Sequence, residues 1–130
     1  MKRAEHLRSA TDFAAVRAHG RATHCAALTL SWGDSAHAFN RFGFVVGKRV
    51  GNAVTRNLVK RRLRAIIDAR RHLLFTSFDI VFIARPSAPQ RSFADLERDI
   101  DRLLTRAKLW HPMPAAKQQL PTATSAPPSE

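Results

Sequence analysis

The sequence contains a single cysteine, Cys25, in 130 residues. No intrachain disulfide can form, which suits a reducing compartment, and a cytoplasmic location is expected. Its histidines, at positions 6, 19, 24, 37, 72 and 111, are scattered and supply no clustered Cys/His zinc set. No G-x-S-x-G nucleophile elbow occurs. Gly47-Lys48-Arg49-Val50-Gly51 lacks the G-K-[ST] ending of a phosphate-binding P-loop. No apolar run approaches the ~18 residues that a spanning helix needs. The N-terminus MKRAEHLRSATDF has no apolar signal core, and no membrane partner is expected.

The scarcest commodity is negative charge. Only 10 Asp and Glu stand against 22 Lys and Arg, a formal charge of +12. From Ser35 through Ile67, 33 residues, there is no acid at all, while Arg41, Lys48, Arg49, Arg56, Lys60, Arg61, Arg62 and Arg64 fall inside. Such a run repels itself unless a polyanion neutralises it. Nucleic acid is the first partner this balance implies, and an anionic membrane the second. The basic segment lacks the wide Trp/Phe/Leu face of an interfacial membrane helix.

The remaining patterns place these cations on a fold. Ser9 and Asp12 read as the start of a short helix carrying Phe13 and Val16, with Gly20 as a left-handed stop. Phe13 is expected in the core, with a solvent-facing stacking role as the alternative. Alternation at Leu28, Leu30 and Trp32 predicts one strand over Thr23 to Trp32, and a second follows from about Phe39 to Gly47. The intervening Gly33-Asp34-Ser35 suggests an antiparallel hairpin. Gly43 and Gly47 hint at close approach by a backbone or ligand.

A basic helix is predicted from about Ala53 to Leu74. Val59, Leu63, Ile66, Ile67, Leu73 and Leu74 form its packing face. Arg56, Asn57, Lys60, Arg61, Arg64 and Arg71 form its cationic face, and Arg62 points elsewhere. Phe78 to Arg85 predicts a strand buried on both faces. A last helix opens at Ser92, with a core stripe of Leu96, Ile100, Leu103, Leu104 and Ala107. Its acids Asp95, Glu97, Asp99 and Asp101 are spaced by two, which splays them and predicts a solvated face instead of a metal site.

The expected class is α+β: a single-domain α-β-β-α-β-α sandwich over residues 1–110 with a small central sheet and a basic crossover helix. A disordered Pro/Ala/Thr/Ser-rich tail is expected over residues 111–130. No self-contained catalytic constellation is evident. A stripe of cations at helical spacing makes a salt-dependent clamp for a phosphate backbone. A helix-turn-helix DNA-binding module fits less well, because strands precede the basic helix. A structural protein of the ribosome shares the charge and size and remains the alternative.

Residues Gly51 to Arg64, GNAVTRNLVKRRLR, resemble the signature G-N-A-V-x-R-N-x-x-K-R-x-x-R of the bacterial ribonuclease P protein subunit. RFGFVVGKRV, Asp12-Phe13-x-x-Val16 with His19-Gly20, and FDIVFIARP are similar to the same family, so the likeness runs from about residue 5 to 109. The resemblance implies a left-handed crossover around the basic helix. It also implies a protein cofactor of a ribozyme whose RNA, with Mg²⁺, removes the 5′ leader of precursor tRNA. The implied partners are that catalytic RNA subunit and the leader, with no obligate protein partner evident. By position, RNA contacts are implied for Lys48, Arg49, Asn52, Arg56, Asn57, Lys60, Arg61 and Arg64. A leader cleft is implied at Phe13, Arg17 and Val45. Arg17 and Ser31 stand where the family commonly has aromatics.

Overall fold

A computed structural model describes residues 5–7 and 10–110. The elements run α1 (Ala10–His19), β1 (Arg21–His24), β2 (Leu28–Asp34), β3 (Arg41–Val45), α2 (Ala53–Asp68), β4 (Phe78–Ala84) and α3 (Phe93–Ala107). The four strands form one sheet in the order β1-β2-β4-β3. The α+β class matches expectation, and two features of the sheet do not.

The segment expected as one strand, Thr23 to Trp32, breaks at Cys25-Ala26-Ala27 and folds back on itself. Arg21 pairs with Trp32 and His24 with Thr29, antiparallel. The second difference is the expected hairpin, which does not form. β2 pairs antiparallel with β4, and β3 pairs parallel with β4. β4 therefore lies between them, and α2 is the crossover that a parallel pair requires. The near-continuous apolar run Ile80 to Ala84 did indicate a central, covered strand, and Ile80, Val81 and Phe82 are fully buried.

Alternation divides the sheet into two faces. On one, Leu30, Trp32, Phe42, Ile80 and Phe82 meet Val59, Leu63, Ile66 and Ile67 of α2 and Leu96, Ile100, Leu103 and Leu104 of α3. On the other, Val81 packs with Leu7 and Val16, and half-buried Phe13 and Ile83 join them. α1 covers that second face only in part.

Ser92 caps α3, its hydroxyl accepting the Asp95 N–H at 3.1 Å. Burial of Leu96, Ile100, Leu103 and Leu104 follows the predicted stripe. The helix ends at Ala107. α2 is shorter than predicted, ending at Asp68, with a separate 3₁₀ turn at Arg71–Leu73. Ser9, the expected cap of α1, and the tail from residue 111 lie outside the described residues.

Gly20 is needed for a reason other than the expected left-handed turn, because its φ is not positive. A Cβ there would stand 2.3 Å from the Trp32 carbonyl oxygen and 2.4 Å from that of Val16. Both obstacles are backbone, so α1 and β2 would have to separate. Gly20→Ala is expected to destabilise the domain by about 1–3 kcal/mol, read as a lower thermal midpoint.

Candidate nucleic-acid interface

α2 begins where the chain leaves β3 through a 3₁₀ turn at Lys48–Val50. Gly51 then adopts φ 154°, a backbone state that disfavours side chains. Asn52 follows as N-cap, its Oδ1 accepting the Thr55 N–H at 2.9 Å. The first intrahelical bond runs from Arg56 N–H to the Asn52 carbonyl. Ahead of it, the start of α2 presents the positive end of a helix dipole beside the cationic face.

Ion pairing separates the basic residues into two groups. Arg41, Arg70, Arg71, Arg91, Arg98 and Arg102 each lie within 4.0 Å of a carboxylate. Among the described residues twelve others have no such partner, and Lys48, Arg49, Arg56, Lys60, Arg61 and Arg64, from the Lys48–Val50 turn and α2, are among them. Lys48, Arg49, Arg61 and Arg64 are exposed, Asn57 with them, and Arg56 and Lys60 are half-buried. The Arg56 Nε is buried without a hydrogen-bond partner among the described residues. Arg64 places its guanidinium 6.0 Å from the centroid of Phe44, whose ring holds it near the sheet. The structure thus brings the predicted cations together on one side of α2 and its approach, with no carboxylate partner among the described residues.

Two arginines expected in that uncompensated set do not belong to it. Arg41 forms a fork with Asp79, both bonds 2.9 Å, and reaches Asp12 at 3.4 Å. The bonds to Asp79 raise its pKa although burial opposes them. Arg71, expected on the cationic face, pairs instead with Glu5 and Asp68. Arg62 does point elsewhere, donating to the Arg91 carbonyl at 3.4 Å.

The acids of α3 also differ from expectation. They are not a solvated face but the partners of the remaining arginines. Arg70 bonds Glu97 and Asp101. Burial pulls its pKa down, yet these carboxylates raise it overall. Arg91 forks onto Asp99, a carboxylate only 5% exposed. Asp95 is held below the usual carboxylate range, chiefly by its hydrogen bond with Ser92. No group of three or more His, Cys, Asp or Glu among the described residues could hold a metal ion.

The second predicted site lies on the α1 side of the sheet. The Phe13 ring rests on Gly43, where a Cβ would come within 2.5 Å of its Cε1. Gly43 is therefore a close-approach glycine, as its place in the strand hinted. At Gly47 a Cβ would meet none of the described residues within 4 Å. Phe13 is half-buried against Leu7, Val16 and Val81, so it is part core and part surface. Arg17, one turn on, is exposed. Ser31 is buried and cannot line an open cleft.

Val45 is in register with Ile83, Ile83 with Thr29, and Thr29 with His24. Paired residues share a face, so these four make one row across the sheet, and none is buried. Thr29, Ile83 and His24 escaped the sequence reading because their alignment with Val45 depends on the strand order.

A half-covered sheet with an uncompensated basic helix beside it defines an α+β module for binding a polyanion. Comparison with known proteins narrows the class. The ribonuclease P family model matches residues 1–108. The ribonuclease P protein component of Acidothermus cellulolyticus is 43% identical over 102 residues, covering 77% of this chain and 85% of the relative. That of Roseiflexus castenholzii is 37% identical over 108 residues, covering 82% and 88%. The solved RNase P protein of Thermotoga maritima superposes with TM-score 0.72 at 26% identity, covering 78% and 96%.

The chain belongs to the ribonuclease P protein family, and so to the protein side of an endoribonuclease that contains RNA. These likenesses support that reading and not the ribosomal alternative. Among the described residues, no helix is long and apolar enough to cross a membrane.

Proposed function

We propose that this chain docks on the ribonuclease P RNA through Lys48, Arg49, Asn52, Arg56, Asn57, Lys60, Arg61 and Arg64. We further propose that it holds the 5′ leader of precursor tRNA along Phe13, Arg17 and Val45. The observation that carries the first part is that six cations on α2 and the turn before it have no carboxylate partner among the described residues. Each one placed on a phosphate releases counterions, and guanidinium forks grip phosphate in two bonds. Asn52 keeps its side-chain N–H donors for RNA while its Oδ1 caps α2. The row Val45-Ile83-Thr29-His24 extends the leader surface away from Phe13.

Mg²⁺ accompanies the RNA and supplies the hydrolytic chemistry there. The protein residues position and neutralise. Residues 1–110 act as one RNA-binding domain in the cytoplasm, with the segment from 111 onward as its tail. The test is reconstitution with the RNA of the same genome. The purified protein alone should leave precursor tRNA intact, and protein plus RNA should trim the 5′ end at low Mg²⁺. Cleavage by scrupulously RNA-free protein would refute this division of labour.

The leader surface makes a separate prediction. With Arg17 in place of an aromatic, leader binding should lean on charge. Arg17→Ala is expected to weaken leader binding and flatten its salt dependence, with folding unchanged. Phe13→Ala should cost affinity of the order of a lost base stack, about 1–3 kcal/mol, and also lower the thermal midpoint, because the ring packs on Gly43. Unchanged leader affinity and salt slope in Arg17→Ala would remove that residue from the site.

A further inference from the structure

α2 carries a third stripe that lies outside both its buried face and the ion pairs of the described residues. Val54 is 78% exposed and Leu58 37% exposed, one turn apart. At about 100° per residue, Leu58, Arg61 and Ala65 fall within ~40° of Val54, and the buried Val59, Leu63 and Ile66 point to the opposite half of the helix. Arg61 and Ala65 are exposed too. Valine in a helix is intrinsically less favourable than alanine, so an unburied Val54 does not serve the helix itself. Its neighbours on one flank are Asn57, Lys60, Arg61 and Arg64, with none of the cations paired among the described residues.

We infer that Val54 and Leu58 form an apolar subsite for the face of one unstacked nucleotide of the bound RNA. The inference rests on the RNA-docking reading above. Apolar surface beside free cations matches a nucleotide's composition, an anionic phosphate joined to ribose and base faces. A paired helix buries its base faces in the stack. Only a bulged or single-stranded position offers one to a side chain. A second copy of the chain is the poorer occupant, because apposing two such stripes would bring their uncompensated cations together within a chain of charge +12.

The test measures binding of the full chain to its ribonuclease P RNA transcript over a salt series. Val54→Ala/Leu58→Ala should lower affinity by about tenfold and leave the salt slope unchanged, since no counterion-releasing group is lost. Val54→Ala alone should give a smaller loss in the same direction with an unaltered thermal midpoint, so the assay survives if Leu58→Ala perturbs folding. Val54→Lys adds a cation, yet should weaken binding at elevated salt, where charge counts least.

Wild-type affinity in Val54→Ala/Leu58→Ala, or tighter binding by Val54→Lys at elevated salt, overturns the subsite and leaves the docking reading standing. Failure of the unaltered chain to bind the transcript overturns the docking reading itself. A concentration-dependent dimer, measured without RNA and abolished by Val54→Ala, overturns the inference in favour of a second copy.

Discussion

Replacing Arg49, Lys60 and Arg61 together by alanine is expected to lower affinity for the ribonuclease P RNA by about two to three orders of magnitude at low salt. The slope of log affinity against log salt should flatten by roughly two to three, since each of the three lost phosphate contacts removes about 0.7–0.9. The thermal midpoint should stay within experimental error, because these three side chains make no hydrogen bond or ion pair among the described residues. The three readouts separate this outcome from unfolding, which would lower the midpoint, and from loss of a base-specific contact, which would leave the slope intact. An unchanged slope with unchanged affinity would mean that the RNA docks elsewhere.

Arginine alone would not have singled out this surface. Arg41 falls in the same acid-free run as Arg49 and Arg61, and nothing local distinguishes it. Its partner Asp79 lies 38 positions away. Arg71 reaches Glu5 across 66 positions. Whether a cation is compensated is a long-range property, so a window that counts charges overstates the free set.

Strand order was hidden for the same reason. Alternation in β2 and β3 shows which side chains share a face, but not that β4 inserts between them. The break at Cys25-Ala26-Ala27 carries no Gly, Pro, Asn or Asp, the residues that normally announce a turn. In contrast, the buried faces of α2 and α3 and the Ser92 cap depend on contacts within a few residues or on a single periodicity. Those were readable. The proposed RNA-contact positions came from the family resemblance carried by RFGFVVGKRV and Gly51 to Arg64, and the structure adds which of those side chains lack an ion-pair partner among the described residues.

Arg41→Ala is expected to have the largest effect on stability, although the residue sits among the cations of the acid-free run. Its side chain is 19% exposed and that of Asp79 11%. Removing the guanidinium would leave a nearly buried carboxylate at the start of β4 without its fork. The expected cost is about 3 kcal/mol, the low end for breaking a buried pair, because some solvent still reaches Arg41. The same arginine bonds Asp12 of α1, so the change should also loosen the seat of Phe13.

A double replacement distinguishes a lost bond from a stranded charge. Arg41→Met with Asp79→Leu removes both charges, and should recover most of the stability, since a buried pair and apolar side chains of similar size are often nearly equivalent. RNA affinity of this double variant, measured below its melting transition, should stay near that of the unaltered chain. A strong loss of RNA affinity together with restored stability would move Arg41 from the framework of the domain to its interface.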